Sequence, residues 1–249
     1  MTGPRMDFIV PGWRAPRHVR ALTTTRRGGV SSAPYGSLNL ADHVGDEKSS
    51  VKTNRRLLQS ILGCSALPGW LQQQHGAVVI DRDRDTHSTF GDGSLTRRAG
   101  TICAVLTADC APLFLTDRGG RFVAVLHVGW RGLVAGIIES GLAAVATSPK
   151  QVLAWIGPAI SGLAYEGGSE VRERLLEVFP EHRTKISPSG ARWHADLPGM
   201  VEQRLRSAGV VEVGSSGCCT FSEPDKWFSH RRRAPCGRMA SMIWIEPSK

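Results

Sequence analysis

The sequence has no Cys-x-x-C pair, and its six cysteines, at positions 64, 103, 110, 218, 219 and 236, show no repeated short spacing. That excludes a zinc ribbon and a thioredoxin-like motif and makes a disulfide framework a poor reading. No apolar stretch in the first twenty residues suffices for a signal-peptide core, and none anywhere approaches the roughly 20 residues a membrane helix needs. A soluble cytoplasmic chain with reduced thiols and no membrane partner is expected. Internal repeats, coiled-coil heptads and low-complexity segments are also missing. So is any nucleic-acid recognition motif, although Lys plus Arg exceed Asp plus Glu by nine. The basic doublets and triplet (Arg26-Arg27, Arg55-Arg56, Arg97-Arg98, Arg231-Arg232-Arg233) are scattered. Such scatter suits anionic small molecules, non-specific nucleic acid or a solvated surface.

What is present is enough apolar content, 41% of 249 residues, to fill a real core. His18 to Thr25 reads as a strand entering the irregular loop RRGGVSSAPYGSLNL. Glu47 to Leu62 reads as an amphipathic helix stopped by Gly63. Trp70 to Ile80 reads as a strand with QQQHG at its middle, followed by a polar excursion through residue 100. A helix is expected over Gly132 to Val145, a strand over Val152 to Ile156, and a helix capped by Ser169. Leu197 to Ala208 reads as a helix, Val210 to Val213 and Ser241 to Ile245 as strands. This alternation predicts one α/β domain with mixed sheets over residues 1–249.

The chemistry concentrates in residues 101–131, TICAVLTADCAPLFLTDRGGRFVAVLHVGWR. A turn centred between Arg118 and Gly119 would make Cys110 and His127 direct cross-strand partners, with Cβ atoms about 4.5–5.5 Å apart. That suffices for a thiolate–imidazole pair or for two ligands of one metal ion. A buried small Cys and a satisfied strand-end His are the plainer readings. His75, beside a glycine, supplies a third soft or borderline donor. Two imidazoles and a thiolate satisfy Zn²⁺ and leave a fourth position open, as catalytic zinc requires. The same thiol and imidazole could instead serve a cysteine hydrolase, Cys110 as nucleophile and His127 as base.

The blocks TRRGGVS, LNLADHVGD, QQHG, LTADCAPLFLTD, HVGWRG, IGPAISGLAYE, CCT, FSHRRR and CGRMASMIWI together resemble the YfiH-like family. Its members are also called laccase-domain or multicopper polyphenol oxidase proteins, purine nucleoside phosphorylase-type enzymes and peptidoglycan editing factors. The resemblance runs in order from about residue 20 to the C-terminus. It implies an α/β/β/α layered fold, a zinc ion on His75, Cys110 and His127, phosphorolysis of purine nucleosides, and an associated adenosine deaminase activity. The chain departs from the family pattern in HVGWRG, YEGG and FSHRRR, which bears on substrate preference.

Those activities suggest roles for further residues. Arg26 and Arg131 are candidates for phosphate, whose oxyanions the guanidinium fork matches; a surface charge and a packing role are their rivals. Asp109 is a candidate proton carrier or an orienting group. Asn39 could contact ribose or base, or close an Asx turn; Tyr165 could stack on a purine or simply pack. A copper-dependent phenol oxidase remains an alternative, opposed by eight scattered histidines with no His-x-His element. Copper in place of zinc is the less favoured cofactor. Nothing in the sequence ranks the purine nucleosides or fixes the oligomeric state.

Overall fold

The computed structural model describes residues 6–62 and 68–247. Gly63, the expected helix stop, and Cys64 lie outside the described residues. In chain order the elements are β1 (Phe8–Ile9), β2 (Val19–Thr24), α1 (Lys48–Leu62), β3 (Val79–Asp81), β4 (Gly93–Thr96), β5 (Cys103–Thr107), β6 (Ala111–Asp117), β7 (Val123–Val128), α2 (Trp130–Val134) and α3 (Ile137–Val145). They continue with β8 (Val152–Ile156), β9 (Glu166–Gly167), α4 (Ser169–Val178), β10 (Ile186–Ser189), β11 (Arg192–Ala195), α5 (Leu197–Ser207), β12 (Glu212–Ser215) and β13 (Met239–Ile245). The sheets run β1-β2-β13-β5, β12-β8-β6-β7-β4-β3 and β10-β11-β9. The six-stranded sheet is mixed, with parallel β12/β8 and β3/β4 pairs flanking an antiparallel centre.

Side-chain alternation along the strands builds the layers. Cys103 and Val105 of β5 and Ile243 and Ile245 of β13 meet Phe114 of β6, Val123 and Val125 of β7 and Trp155 of β8 in a core between the two larger sheets. The intervening residues Ala104, Leu106, Ala240, Met242 and Trp244 face outward onto Leu58 of α1 and the loop residues Leu38 and Leu40. On the other side, Leu113, Leu115, Ala124 and Leu126 meet Ile137 and Ile138 of α3 and Val201 and Leu205 of α5. The result is helix, sheet, sheet, helix, the expected α/β/β/α order. Strands β5, β6 and β7 are buried along their whole length, so their sequences read as continuous apolar runs without visible alternation.

Several elements differ from expectation. The helix awaited over Gly132 to Val145 is broken into α2 and α3, and Gly136 makes the break at φ 86°, a backbone conformation that favours glycine. Ser169 is the first helical residue of α4, and Gly168 holds the cap position without a side-chain bond. The strand after α5 begins at Glu212 rather than Val210, and the last strand begins at Met239 rather than Ser241. Between Trp70 and Ile80 only an isolated bridge at Gln72 and the start of β3 are extended, while the polar stretch that follows supplies β4, buried at all four positions. Among the described residues no helix is long and apolar enough to cross a membrane.

Candidate metal and active site

The TADC segment is a crossing between sheets. β5 belongs to the four-stranded sheet and β6 to the six-stranded one, and the chain passes between them at Ala108, Asp109 and Cys110. Asp109 takes φ 91°, an uncommon conformation for a non-glycine residue and a sign of local strain. Three contacts hold it there: its backbone carbonyl accepts from Ile160 N at 2.9 Å, Oδ1 from Thr220 Oγ1 at 2.7 Å and Oδ2 from Arg231 N at 2.7 Å. The bend delivers Cys110 to the end of the sheet sandwich.

The register of β6 on β7 pairs Pro112 with His127 and Ala111 with Val128. Cys110 is therefore not the direct partner of His127. It lies two residues further along the same face, because the connection closes through a Gly120 N to Asp117 O bond one residue later than expected. A shift of two conserves the face, so the two side chains still converge. Continued by one pair, the register sets Cys110 opposite Gly129. A Cβ there would lie 3.0 Å from Cys110 Sγ and 3.0 Å from His75 Cδ2, so glycine leaves the space the donors occupy.

His75 reaches the site from a bend at φ 58°, not from a strand. The bend is organised by buried Asp92, whose carboxylate accepts the backbone N–H groups of Gln74 at 3.1 Å, His75 at 2.8 Å and Gly76 at 2.8 Å. The same carboxylate meets His127 Nδ1 at 2.9 Å, which leaves His127 Nε2 for a ligand. Gln73 fixes the near end of the bend by exchanging two hydrogen bonds with the Leu106 backbone, at 2.9 and 2.7 Å. Asp92 was not singled out in the sequence; its signal was an acid between two glycines, in GDGSLT. A carboxylate that orients a ligating imidazole is a recurring partner of metal sites.

The donor atoms of His75, Cys110 and His127 all lie within 4.8 Å of one another. Two imidazoles and a thiol in that space can hold a metal ion, and their softness fits Zn²⁺. In the metal-free chain burial opposes charge on Cys110, but the attraction and hydrogen bond of His127, aided by His75, pull the thiol down to about 6. Burial likewise opposes charge on His127, and Cys110 and Asp92 outweigh it, raising the imidazole to about 9. Asp92 stays ionised below the ordinary carboxylate range, because the bonds from His127, Gly76 and Gln74 overcome its burial.

These donors open onto a cavity of about 360 Å³. Leu106, Ala108, Ile160 and Leu197 give it apolar walls, Trp130 and Tyr165 add aromatic ones, and Arg131, Arg231, Arg238, His43 and His230 supply basic groups. Asp109 also lines the cavity, with both carboxylate oxygens engaged. Arg131 lies over the Trp130 ring at 4.4 Å and has no ion-pair partner among the described residues. Tyr165 carries Arg231 over its ring at 5.2 Å; burial, helped by the charge of Cys110, raises its pKa, so the phenol keeps its proton.

Two of the residues selected from the sequence lie elsewhere. Arg26 does not line the cavity: its Nε donates to Gly36 O and its Nη1 to Pro224 O, both at 2.8 Å, and its guanidinium covers Phe228. It clamps two loops. Arg26→Ala is therefore expected to destabilise the fold by about 1–3 kcal/mol while leaving anion binding in the cavity unchanged. Thermal melts beside phosphate-binding titrations check this, and a selective loss of phosphate affinity would return Arg26 to the site. Asn39 is fully buried and closes an Asx turn, accepting Ala41 N at 3.0 Å on its own side-chain oxygen.

An α/β/β/α sandwich thus gathers two imidazoles and a thiol at its end, beside a cavity with several basic groups, in an arrangement that could hold a metal ion. The chain belongs to the family described as multi-copper polyphenol oxidoreductase laccase, whose model matches residues 20–246. It is similar to YfiH of Escherichia coli strain K12, named a purine nucleoside phosphorylase, at 41% identity over 239 residues, covering 96% of this chain and 98% of that one. A Haemophilus influenzae protein of the same name is 40% identical over 244 residues, covering 97% and 100%. Among solved structures, Neisseria meningitidis protein NMB0706 superposes with a TM-score of 0.92 at 38% identity, covering 96% and 99%. YlmD from Geobacillus stearothermophilus gives 0.85 at 30%, covering 93% of each chain.

Proposed function

We propose that the chain is a zinc-dependent purine nucleoside phosphorylase of the cytoplasm, cleaving adenosine-, inosine- or guanosine-type nucleosides with phosphate, and that the same centre deaminates adenosine. The observation that carries this reading is the convergence of His75, Cys110 and His127 on one point of a cavity that is apolar and aromatic on its walls and basic at several positions. The names of the relatives agree with it. Zinc held there would act as a Lewis acid and make water acidic enough to supply hydroxide near neutral pH.

The chain's own groups divide the remaining work. Trp130 and Tyr165 present flat surface to a purine, and the protonated Tyr165 phenol, without a protein partner among the described residues, can donate a hydrogen bond to the departing base. Arg131, free of any carboxylate, can meet an oxyanion. Asp109 acts by position: with both oxygens occupied it holds the crossing that carries Cys110, rather than moving protons. The five described cysteines are all free thiols, which suits a reducing compartment.

One observation favours a second reading. Sγ of Cys110, the His127 ring and the Asp92 carboxylate stand in sequence, an arrangement that also serves nucleophilic thiols. A cysteine hydrolase has no use for His75 on the same sulfur, and chelation separates the two. Stripping the protein with a strong chelator should abolish phosphorolysis and deamination, and added Zn²⁺ should restore both. Activity that survives full metal removal would transfer the site to the hydrolase reading. The multicopper label finds one group of three or more donors among the described residues, where an oxidase relay requires several centres.

A further inference from the structure

The basic groups of the cavity fall into two sets. Arg131 and Arg231 both act on Tyr165, on the side formed by α2 and the segment before α4. His43 and Arg238 both line the cavity and come from the opposite layer, His43 from the loop before α1 and Arg238 from the entry to β13; the charge of Arg238 is felt at His43. One phosphoryl group does not need both sets.

The second set is built with care. Asn39 accepts Arg238 N at 2.9 Å and Ala41 N at 3.0 Å, and donates to Ala41 O and to Asp46 Oδ2, both at 2.9 Å. One buried amide thus ties both ends of the loop that carries His43 to the backbone of Arg238. Nη1 of Arg238 is spent on the carbonyls of Cys236 at 2.8 Å and Gly237 at 3.1 Å and on the Cys236 sulfur, while Nε and Nη2 have no partner among the described residues. His43 has one acidic neighbour, Asp42 at 3.7 Å, and that carboxylate is shared with Arg55 at 3.3 Å. A guanidinium with one edge anchored and the other open, beside an imidazole, matches a phosphoryl oxyanion.

We infer that His43 and Arg238 form a phosphoryl-binding subsite of the cavity, positioned by Asn39. The inference rests on the phosphorolysis reading and deepens it. The phosphoryl group can come from inorganic phosphate, the co-substrate, or from a substrate that carries its own, a nucleoside monophosphate. Asn39, for which the sequence left open a ribose or base contact or an Asx turn, closes that turn and becomes the positioning residue of this subsite without touching substrate.

The test uses the metal-loaded full chain and three probes, inorganic phosphate, adenosine 5′-monophosphate and adenosine, with binding read by calorimetry. His43→Gln and Arg238→Gln, each checked for an unchanged melt, are expected to weaken phosphoryl binding roughly ten- to a hundredfold and adenosine binding less than about twofold. Loss confined to inorganic phosphate assigns the subsite to the co-substrate; loss confined to the monophosphate assigns it to the substrate's own phosphate. If both variants bind both phosphoryl probes as the wild type does, while Arg131→Gln loses them, the anion sits on the Arg131 side and the inference is wrong. If wild-type protein binds phosphate through these residues yet turns over no purine nucleoside, the phosphorolysis reading falls and the subsite stands.

Discussion

Cys110→Ala should leave a folded protein without bound metal and without measurable nucleoside turnover. The thiolate is the one soft anionic donor of the group, and two imidazoles alone cannot hold Zn²⁺ as tightly. The substitution is mild elsewhere: Cys110 is half-buried and its Sγ bonds only within the site. Metal content by plasma mass spectrometry, a melt and phosphate-dependent turnover are the readouts. Wild-type turnover in a metal-free Cys110→Ala protein would remove both the metal mechanism and the cysteine-hydrolase alternative at once, since both need this sulfur.

Asp92→Ala should be nearly as damaging without removing a ligand. The carboxylate is 1% exposed and serves three backbone N–H groups and the His127 ring, so its loss strands buried donors and frees two ligands together. Leaving even one such group unsatisfied costs about 1–3 kcal/mol, and several together should lower the melting temperature by about 6 °C or more in a chain of this size. Metal affinity should fall at least tenfold to a hundredfold, as for other partners of ligating histidines. Asp92→Asn keeps the volume but faces one of its own N–H groups toward a donor, and should fall between wild type and Asp92→Ala in metal competition titrations. Wild-type metal affinity in Asp92→Asn would mean that the bend holds His75 without the carboxylate.

Several elements were legible in the sequence: α1 from Val51 and Leu58 at helical spacing, α5 as a helix from Leu197 onward, and β2, β8 and β13 as short apolar runs. The convergence of His75, Cys110 and His127 was legible because the choice narrows to soft or borderline donors and because the family motifs fell on the same three residues. The register was misjudged by two because the Asp117 to Gly120 turn carries extra loop residues before Val123, and no pattern marks that in two fully buried strands. His75 was placed on a strand because Trp70, Leu71 and Val78 to Ile80 flank it, whereas Asp92, seventeen residues away, dictates a bend. The cavity wall was the least legible part. His43 shares the cavity with Arg238, and Arg131 with Arg231, only through the packing of segments far apart in sequence, and Arg26 sits in an equally basic motif yet points its guanidinium into a loop clamp.

The most direct measurement of the central claim is X-ray absorption at the zinc edge on the purified, metal-loaded protein, with Cys110→Ala in parallel. The account predicts close to one zinc per chain, with one sulfur at about 2.3 Å and two imidazole nitrogens at about 2.0–2.1 Å in the first shell, plus one lighter exchangeable ligand. A shell without sulfur, or a fully active protein that binds no metal, would contradict it.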